Sequence, residues 1–307
     1  MTEERAVPYR AGFVAVVGRP NVGKSTLMNA LLKQKIAAVS PRPQTTRRRQ
    51  LGVLCLPDAQ IVLVDTPGIH VPQNQLGKVM NETALAALAD ADCIAWLVDV
   101  SQAPTDEDRL VAERIKTVPG AVVVLVLNKM DLLSAQQFAI RQAEFAALLP
   151  GATSLGISAL NPKTFEPLLQ ALLARIPEGM PFYDEDQITD LYEREIAADL
   201  IREACLLNLD DEIPHAIAVR IDEYKDRSET QSYIAATLLL ERESHKGIVI
   251  GRAGEMLKKI GMTARKAIEE MTGRKIFLEL RVKVHKNWRN DANLLRQLGY
   301  KSTEKDD

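Results

Sequence analysis

Residues Gly18-Arg19-Pro20-Asn21-Val22-Gly23-Lys24-Ser25-Thr26 have the spacing of a phosphate-binding loop, G-x-x-x-x-G-K-S. Gly18 and Gly23 permit a turn so tight that successive backbone N–H groups face inward, toward phosphate oxygens. The Lys24 ammonium then reaches the β- and γ-phosphates, and the Ser25 hydroxyl is a ligand for Mg²⁺. The loop lies between an apolar run at 13–17 and a helical pattern that starts near Lys24. That strand-then-helix context is what the chemistry requires, so nucleoside triphosphate binding and phosphoryl transfer are expected.

Three more segments select the base. Asp65-Thr66-Pro67-Gly68, Asn128-Lys129-Met130-Asp131 and Ser158-Ala159-Leu160 each follow an apolar run, so three loops at strand ends converge on one ligand. The Asp131 carboxylate can accept from the ring N1–H and the 2-amino group of guanine, whereas adenine offers neither donor. A buried carboxylate left unpaired by the wrong base is costly, so GTP and GDP are expected and ATP rejected. Asn128 is expected at the purine edge, Lys129 over the ring plane, and the Ala159 N–H at the guanine O6. Ser25, one threonine of Thr45-Thr46 and, through a water, Asp65 are expected around Mg²⁺. The Gly68 amide is expected at the γ-phosphate. Lys24, Thr45, Thr46 and Gly68 are thus the candidates for the hydrolytic step. The residue after Gly68 is Ile69, whose aliphatic side chain cannot orient a water, so basal turnover is expected to be slow. Arg47, Arg48 and Arg49 could reach phosphate or RNA, or form a solvated run.

To position these loops the chain needs a doubly wound α/β domain. Strands are expected at 13–17, 51–56, 60–64, 93–99, 122–127 and 152–157, and helices near 24–33, 75–89, 106–116, 135–148 and 164–175. Only Pro57-Asp58-Ala59 separates the second and third strands, so those two are antiparallel and the others parallel through helical crossovers. Residues 34–49 carry two prolines and three consecutive arginines without an apolar period, and are expected to be mobile. Pro177, Gly179 and Pro181 break the pattern, which places a linker at 176–188 between a GTPase domain at 1–175 and a second domain at 189–307.

In that second domain the expected order is helix 190–207, strands 215–224 and 231–242, helices 252–260 and 263–272, strand 276–285 and helix 288–298. With Gly251-Arg252-Ala253-Gly254 at the turn into the middle helices, this is the layout of an α+β type II KH domain. Twelve lysines and arginines stand against four acidic residues from His245 to Arg289, while the whole chain has a net charge of −2. Positive charge is therefore concentrated around the glycine turn, where small residues admit a nucleic-acid backbone and an apolar groove beside Ile248 to Ile250 holds unstacked bases. Single-stranded RNA is the expected ligand, about four nucleotides long. The RNA candidates are Ile250, Gly251, Arg252, Ala253, Gly254, Lys258, Lys259 and Lys283.

Bulk properties set limits. A chain of 307 residues, 46% apolar, suggests two packed domains. Cys55, Cys93 and Cys205 are dispersed, which suggests reduced thiols. No apolar run approaches the roughly 18–20 residues of a membrane span, and Met1-Thr2-Glu3-Glu4 lacks the character of a signal peptide. A cytoplasmic protein is expected. His70, His215, His245 and His285 have no ligand spacing among them.

From Gly12 to Gly299 the chain resembles the Era family of bacterial ribosome-associated GTPases. The resemblance rests on the phosphate loop, Gln44-Thr45-Thr46-Arg47, Asp65-Thr66-Pro67-Gly68, Asn128-Lys129-Met130-Asp131, the Val249-Ile250-Gly251-Arg252-Ala253-Gly254 turn, and the tail Val282-Lys283-Val284-His285-Lys286-Asn287-Trp288 with Leu298-Gly299-Tyr300. It implies a monomer whose KH domain binds the 3′ end of 16S rRNA during maturation of the 30S ribosomal subunit. Similarity to K⁺-stimulated GTPases, with the amide Asn21 in the loop, implies a K⁺ ion beside the β- and γ-phosphates. A second reading makes the chain a signalling or membrane-associated GTPase, peripheral at the inner face of the cell membrane, whose KH-like module contacts protein or anionic lipid.

Overall fold

Short runs rich in Val, Leu and Ile form strands buried on both faces, as a sheet covered by helices requires. The protein's structure is a computed structural model describing residues 8–40, 42 and 45–300. Gln44 and the N-terminal Met1-Thr2-Glu3-Glu4 of the sequence reading lie outside them. The first sheet comprises β1 (Arg10–Val17), β2 (Gln50–Leu56), β3 (Ala59–Asp65), β4 (Cys93–Asp99), β5 (Val123–Asn128) and β6 (Thr153–Gly156), in the order β2-β3-β1-β4-β5-β6. Only β2 runs antiparallel, paired with β3, as the three-residue connection demands. The helices are α1 (Lys24–Leu32), α2 (Gln75–Ala89), α3 (Asp106–Lys116), α4 (Ala135–Ala146) and α5 (Glu166–Leu173). Reciprocal caps fix the starts of two of them, Thr105 with Asp108 for α3 and Ser134 with Gln137 for α4.

The second sheet, β7 (Ile217–Ser228), β8 (Gln231–Leu240) and β9 (Lys275–Val284), pairs β7 with β8 antiparallel and β8 with β9 parallel. Its helices are α6 (Glu193–Asn208), α7 (Glu243–Ile250), α8 (Glu255–Thr272) and α9 (Ala292–Gln297). The element order is that of the type II KH layout, but the middle helices differ from the sequence expectation. Residues 243–250 form the first of them, although Gly247 and the β-branched Ile248-Val249-Ile250 disfavour a helix; burial of Val249 in the core overrides that preference. The expected break near Gly261 is absent. Instead α8 runs unbroken, with Ile260, Ala264 and Ile268 at four-residue spacing on its buried face.

The chain divides into two compact units. One holds the residues up to Lys33, Arg47–His70 and Asn81–Asp190; the other holds Gln34–Thr46, Val71–Met80 and the chain from Leu191 onward. This partition is not a cut at 176–188. Those expected linker residues pack on the first unit: the fully buried Gln60 accepts from the N–H of Phe182 (2.7 Å) and donates to the Tyr183 carbonyl (2.8 Å), and the Phe13 and Phe182 rings lie 4.8 Å apart.

Within the second unit, the described part of 34–46 is docked rather than loose. Ile36, Ala37 and Ala38 are buried, Lys35 pairs with Glu203 (2.9 Å), Arg42 pairs with Asp210 (2.9 Å), and Arg202 donates to the Thr45 carbonyl. The run Ile36-Ala37-Ala38 supplies the apolar contact overlooked in a stretch dominated by proline and arginine. Likewise Leu76, Val79 and Met80 enter a core with Ala218, Leu239, Trp288, Leu294, Leu295, Leu298 and Tyr300. Trp288 is fully buried at its centre, and its Nε1 donates to the Ala216 carbonyl (2.9 Å).

Trp288→Ala is expected to destabilise this second unit by about 3–5 kcal/mol. Hydrogen exchange would read the loss in β7–β9, with β1, β4 and β5 of the first unit keeping their protection.

Candidate nucleotide site and RNA groove

Gly18 begins the phosphate loop at φ +156°, and a Cβ there would fall 2.2 Å from the Leu97 carbonyl oxygen, so no other residue fits. Gly23, at φ +103°, caps α1 and leads into Lys24 and Ser25. Lys24 is buried, and its Nζ donates to the carbonyls of Gly18 (3.1 Å) and Arg19 (3.0 Å) of its own loop. Burial pulls its pKa down to about 8, against the opposing pull of the Asp65 carboxylate. The Ser25 hydroxyl donates to Asp65 Oδ2 at 2.7 Å. A hydroxyl and a carboxylate together form the hard oxygen donor set that Mg²⁺ takes, so these residues fit that ion. Thr66 anchors its own loop through Val16 (3.0 Å), and a Cβ on Gly68 would meet the Pro20 nitrogen at 2.8 Å, so Asp65-Thr66-Pro67-Gly68 and the phosphate loop are in close contact. Pro20, Val22 and Thr26 complete that loop, and Asn21 sits exposed at its crest with φ +64°.

The side chain of Arg19 turns away from the loop interior. Its Nε donates to the fully buried Asp108 (3.2 Å), which also accepts from the N–H (2.9 Å) and hydroxyl (2.8 Å) of Thr105. Arg19 further lies 3.9 Å from Asp99, whose other partner is Lys129 at 2.6 Å. Asp99 is held below the usual carboxylate range by hydrogen bonds from Lys129 and Ser101, which outweigh its burial. One chain of charges thus joins the phosphate loop to the Asn128-Lys129-Met130-Asp131 loop. Arg19, Asp99 and Asp108 carried no sequence signal of this role; Asp99, at the end of an apolar strand, was the nearest to one.

The Asn128 side-chain amide donates to the Val22 carbonyl (2.7 Å) and accepts from the Ala159 N–H (2.9 Å), so it holds the phosphate loop and the Ser158-Ala159-Leu160 loop together. Lys129 sits at φ +66°, and Asp131 and Leu160 are exposed, while Ser158 is buried and donates its N–H to Thr164 (3.1 Å). Ile69 is buried in the first unit's core. Thr45 and Thr46 belong to the second unit, apart from the grouping that holds Ser25 and Asp65.

In the second unit, the turn after α7 carries Gly251 at φ +74°, Ala253 at φ +51° and Gly254 at φ +82°. A left-handed alanine costs about 1–2 kcal/mol. The strained turn opens on a groove of about 530 Å³ between α8 and β9, lined by Gly254, Leu257, Lys258, Gly261, Met262, Arg265, Ile276, Phe277, Leu278 and Leu280. Of the sequence candidates, Gly254 and Lys258 line it, with Gly251, Arg252 and Ala253 in the turn at its mouth and Ile250 at the end of α7. Lys259 does not line it. Neither does Lys283, whose neighbours Val282 and Val284 are the ones that pack on the core. The apolar floor from α8 and β9 was missed because the helix was read as broken at Gly261.

A family model described as a 50S ribosome-binding GTPase matches residues 13–129, and one described as a KH domain matches 212–289. The chain is 44% identical over 296 residues to GTPase Era of Ruminiclostridium cellulolyticum, covering 96% of this chain and 99% of that protein. It is 43% identical over 300 residues to GTPase Era of Geotalea uraniireducens, covering 98% and 100%. Among solved structures it is similar, at TM-score 0.90 and 38% identity over 95% of this chain and 99% of the other, to Era in complex with MgGDPNP and nucleotides 1506–1542 of 16S ribosomal RNA. A variant of Aquifex aeolicus Era bound to GDP.AlF4⁻ is similar at TM-score 0.89 and 38% identity, with the same coverage. With a P-loop GTPase domain, a KH domain and this likeness over nearly its whole length, the chain belongs to the Era family of GTPases, enzymes that hydrolyse GTP.

Proposed function

We propose that this GTPase binds the 3′ end of 16S rRNA in the α8–β9 groove, assists maturation of the 30S subunit, and releases the RNA when GTP is hydrolysed. The observation that carries the reading is the groove itself: an apolar floor wide enough for bases, Lys258 and Arg265 on its wall, and a glycine turn at its mouth. The similar Era structure holding a 16S rRNA segment supports the same ligand. A concave groove suits a single strand better than a flat lipid surface, which disfavours the membrane reading. Residues 34–46 and 71–80, which flank the nucleotide motifs in sequence, belong structurally to the RNA-binding unit, which supports coupling between GTP state and RNA affinity.

In the proposed mechanism the loop amides from Gly18 to Thr26 and the Lys24 ammonium bind the β- and γ-phosphates and stabilise charge that builds up during transfer to water. Mg²⁺ held by Ser25, and by Asp65 through water, would add positive charge to the same oxygens. The Gly68 amide reports the γ-phosphate, and Asp131 reads guanine. Lys129 lies over the base, clamped by Asp99. Because Ile69 is buried and aliphatic, no side chain directly after Gly68 aligns the water, so the chain alone is a slow hydrolase. We assign Asn21 as a K⁺ ligand that contributes the charge an arginine finger supplies elsewhere.

Four outcomes are expected. An RNA copying the 3′ end of 16S rRNA should bind saturably and sequence-selectively, more tightly with a non-hydrolysable GTP analogue than with GDP. Lys258→Ala should lower the slope of log affinity against log salt by about one. Sequence-blind binding, equal in both nucleotide states, would refute the reading. Hydrolysis should be faster in KCl than in NaCl at matched ionic strength, and equal rates would remove the role of Asn21. Finally, phosphates should raise the Lys24 pKa from about 8, so GTP binding takes up a proton. The contribution of that charge is complete below pH 8 and falls as pH rises through it. Calorimetry in two buffers of different ionisation enthalpy at pH 8.5 would show the uptake, and no buffer dependence would contradict it.

A further inference from the structure

We propose that Arg227, Tyr233 and Phe277 form a stacking platform for one unpaired nucleobase of an RNA strand as it leaves the groove, a site separate from the glycine turn; the proposal rests on the RNA-binding reading above. Tyr233 on β8 and Phe277 on β9 are register partners, with ring centroids 5.8 Å apart and planes 25° from parallel. The guanidinium carbon of Arg227 lies 4.8 Å from the centroid of Tyr233 and 5.7 Å from that of Phe277. Phe277 is 62% exposed, an unusual position for a large aromatic residue on a sheet whose opposite face is packed into the core.

Three observations point to a base as the occupant. First, Phe277 itself lines the groove, so the platform continues it. The wall of the groove runs along α8 from Gly254 to Arg265, about 16 Å at the helical rise, and places Phe277 at the end away from the glycine turn. A strand of about four nucleotides fills that length, and the next base arrives at the rings.

Second, the surface is pre-organised. The Tyr233 hydroxyl donates to Glu279 Oε2 at 2.7 Å, and Arg281 holds the Glu279 carboxylate from the other side at 2.7 Å, so the tyrosine ring is fixed before a ligand arrives. Third, the chemistry is complementary. A flat aromatic surface beside a guanidinium offers a base both π-stacking and a positive charge for its phosphate, a combination that recurs in single-strand binding and tolerates any base. The stretch from His245 to Arg289, which contains Phe277, carries twelve lysines and arginines against four acidic residues, which favours an anionic strand over a neutral peptide.

The test uses the full chain loaded with a non-hydrolysable GTP analogue and oligoribonucleotides copying the 3′ end of 16S rRNA, each with 2-aminopurine at a single position. Stacking quenches that fluorophore. One position just beyond the groove-bound nucleotides is expected to be quenched by the wild type and restored by Phe277→Ala. The same variant should weaken RNA that includes that nucleotide about tenfold, and leave RNA truncated before it bound as tightly as by the wild type. Phe277→Tyr should retain both effects. GTP hydrolysis without RNA should be the same in all three proteins, which reports a folded enzyme. Equal quenching in wild type and Phe277→Ala, or an equal loss on the truncated RNA, would overturn the platform while selective binding of the truncated RNA left the groove reading intact. Failure of the wild type to bind any of these RNAs would overturn both.

Discussion

The side-chain amide of Asn128 fixes the geometry on which the nucleotide site depends. It ties the phosphate loop at Val22 to the Ser158-Ala159-Leu160 loop while standing at the start of the guanine-reading segment, so three separate parts of the chain share one planar group. An amide this deeply buried must keep both bonds, since leaving either end unsatisfied costs about 1–3 kcal/mol. It also explains a residue elsewhere: a Cβ on Gly23 would lie 2.4 Å from the Asn128 Nδ2, so the glycine before Lys24 is required by this contact as well as by its backbone angle. The pairs Arg19 with Asp108 and Lys129 with Asp99 then brace the same loops from outside. Each brace ends on a residue at the close of β4 or in the first turn of α3, where strand ends and helix starts converge on the nucleotide side of the sheet.

Much of this was legible in the sequence because the motifs are contiguous and their chemistry is local. Gly18 to Thr26 is recognisable from its own residues and the flanking strand and helix. Runs such as Ile61 to Val64 and Val122 to Leu127 are short and bounded by turns, so both the strands and the single antiparallel pair could be read directly. What could not be read depends on distant partners. The loop-bridging bonds of Asn128 could not be seen because its partners, Val22 and Ala159, are 106 and 31 residues away along the chain. Residues 243–250 were assigned to no element because Gly247 and the β-branched residues beside it disfavour a helix, and the core beneath Val249 makes them helical. Lys283 looked like part of a basic groove, since charge is visible in a sequence while the face of a strand depends on its register.

The same limit applies to the edge of the groove. Tyr233 and Phe277 are 44 positions apart and become neighbours only through the parallel pairing of β8 with β9. A parallel pair brings together residues from chain segments joined by a long crossover, here α7 and α8, so a composite aromatic surface is invisible until the register is known.

The docking of residues 34–46 and 71–80 into the second unit bears on how this architecture can change over evolutionary time. The core around Trp288 is completed by Leu76, Val79 and Met80, and α6 meets its charge partners through Lys35 and Arg42. A KH module excised at 189 would therefore carry an open hydrophobic face and a stranded carboxylate at the buried Glu203. A recombination event that keeps the second unit folded must therefore bring the segments around Ile36 and Leu76 along with the chain after 190.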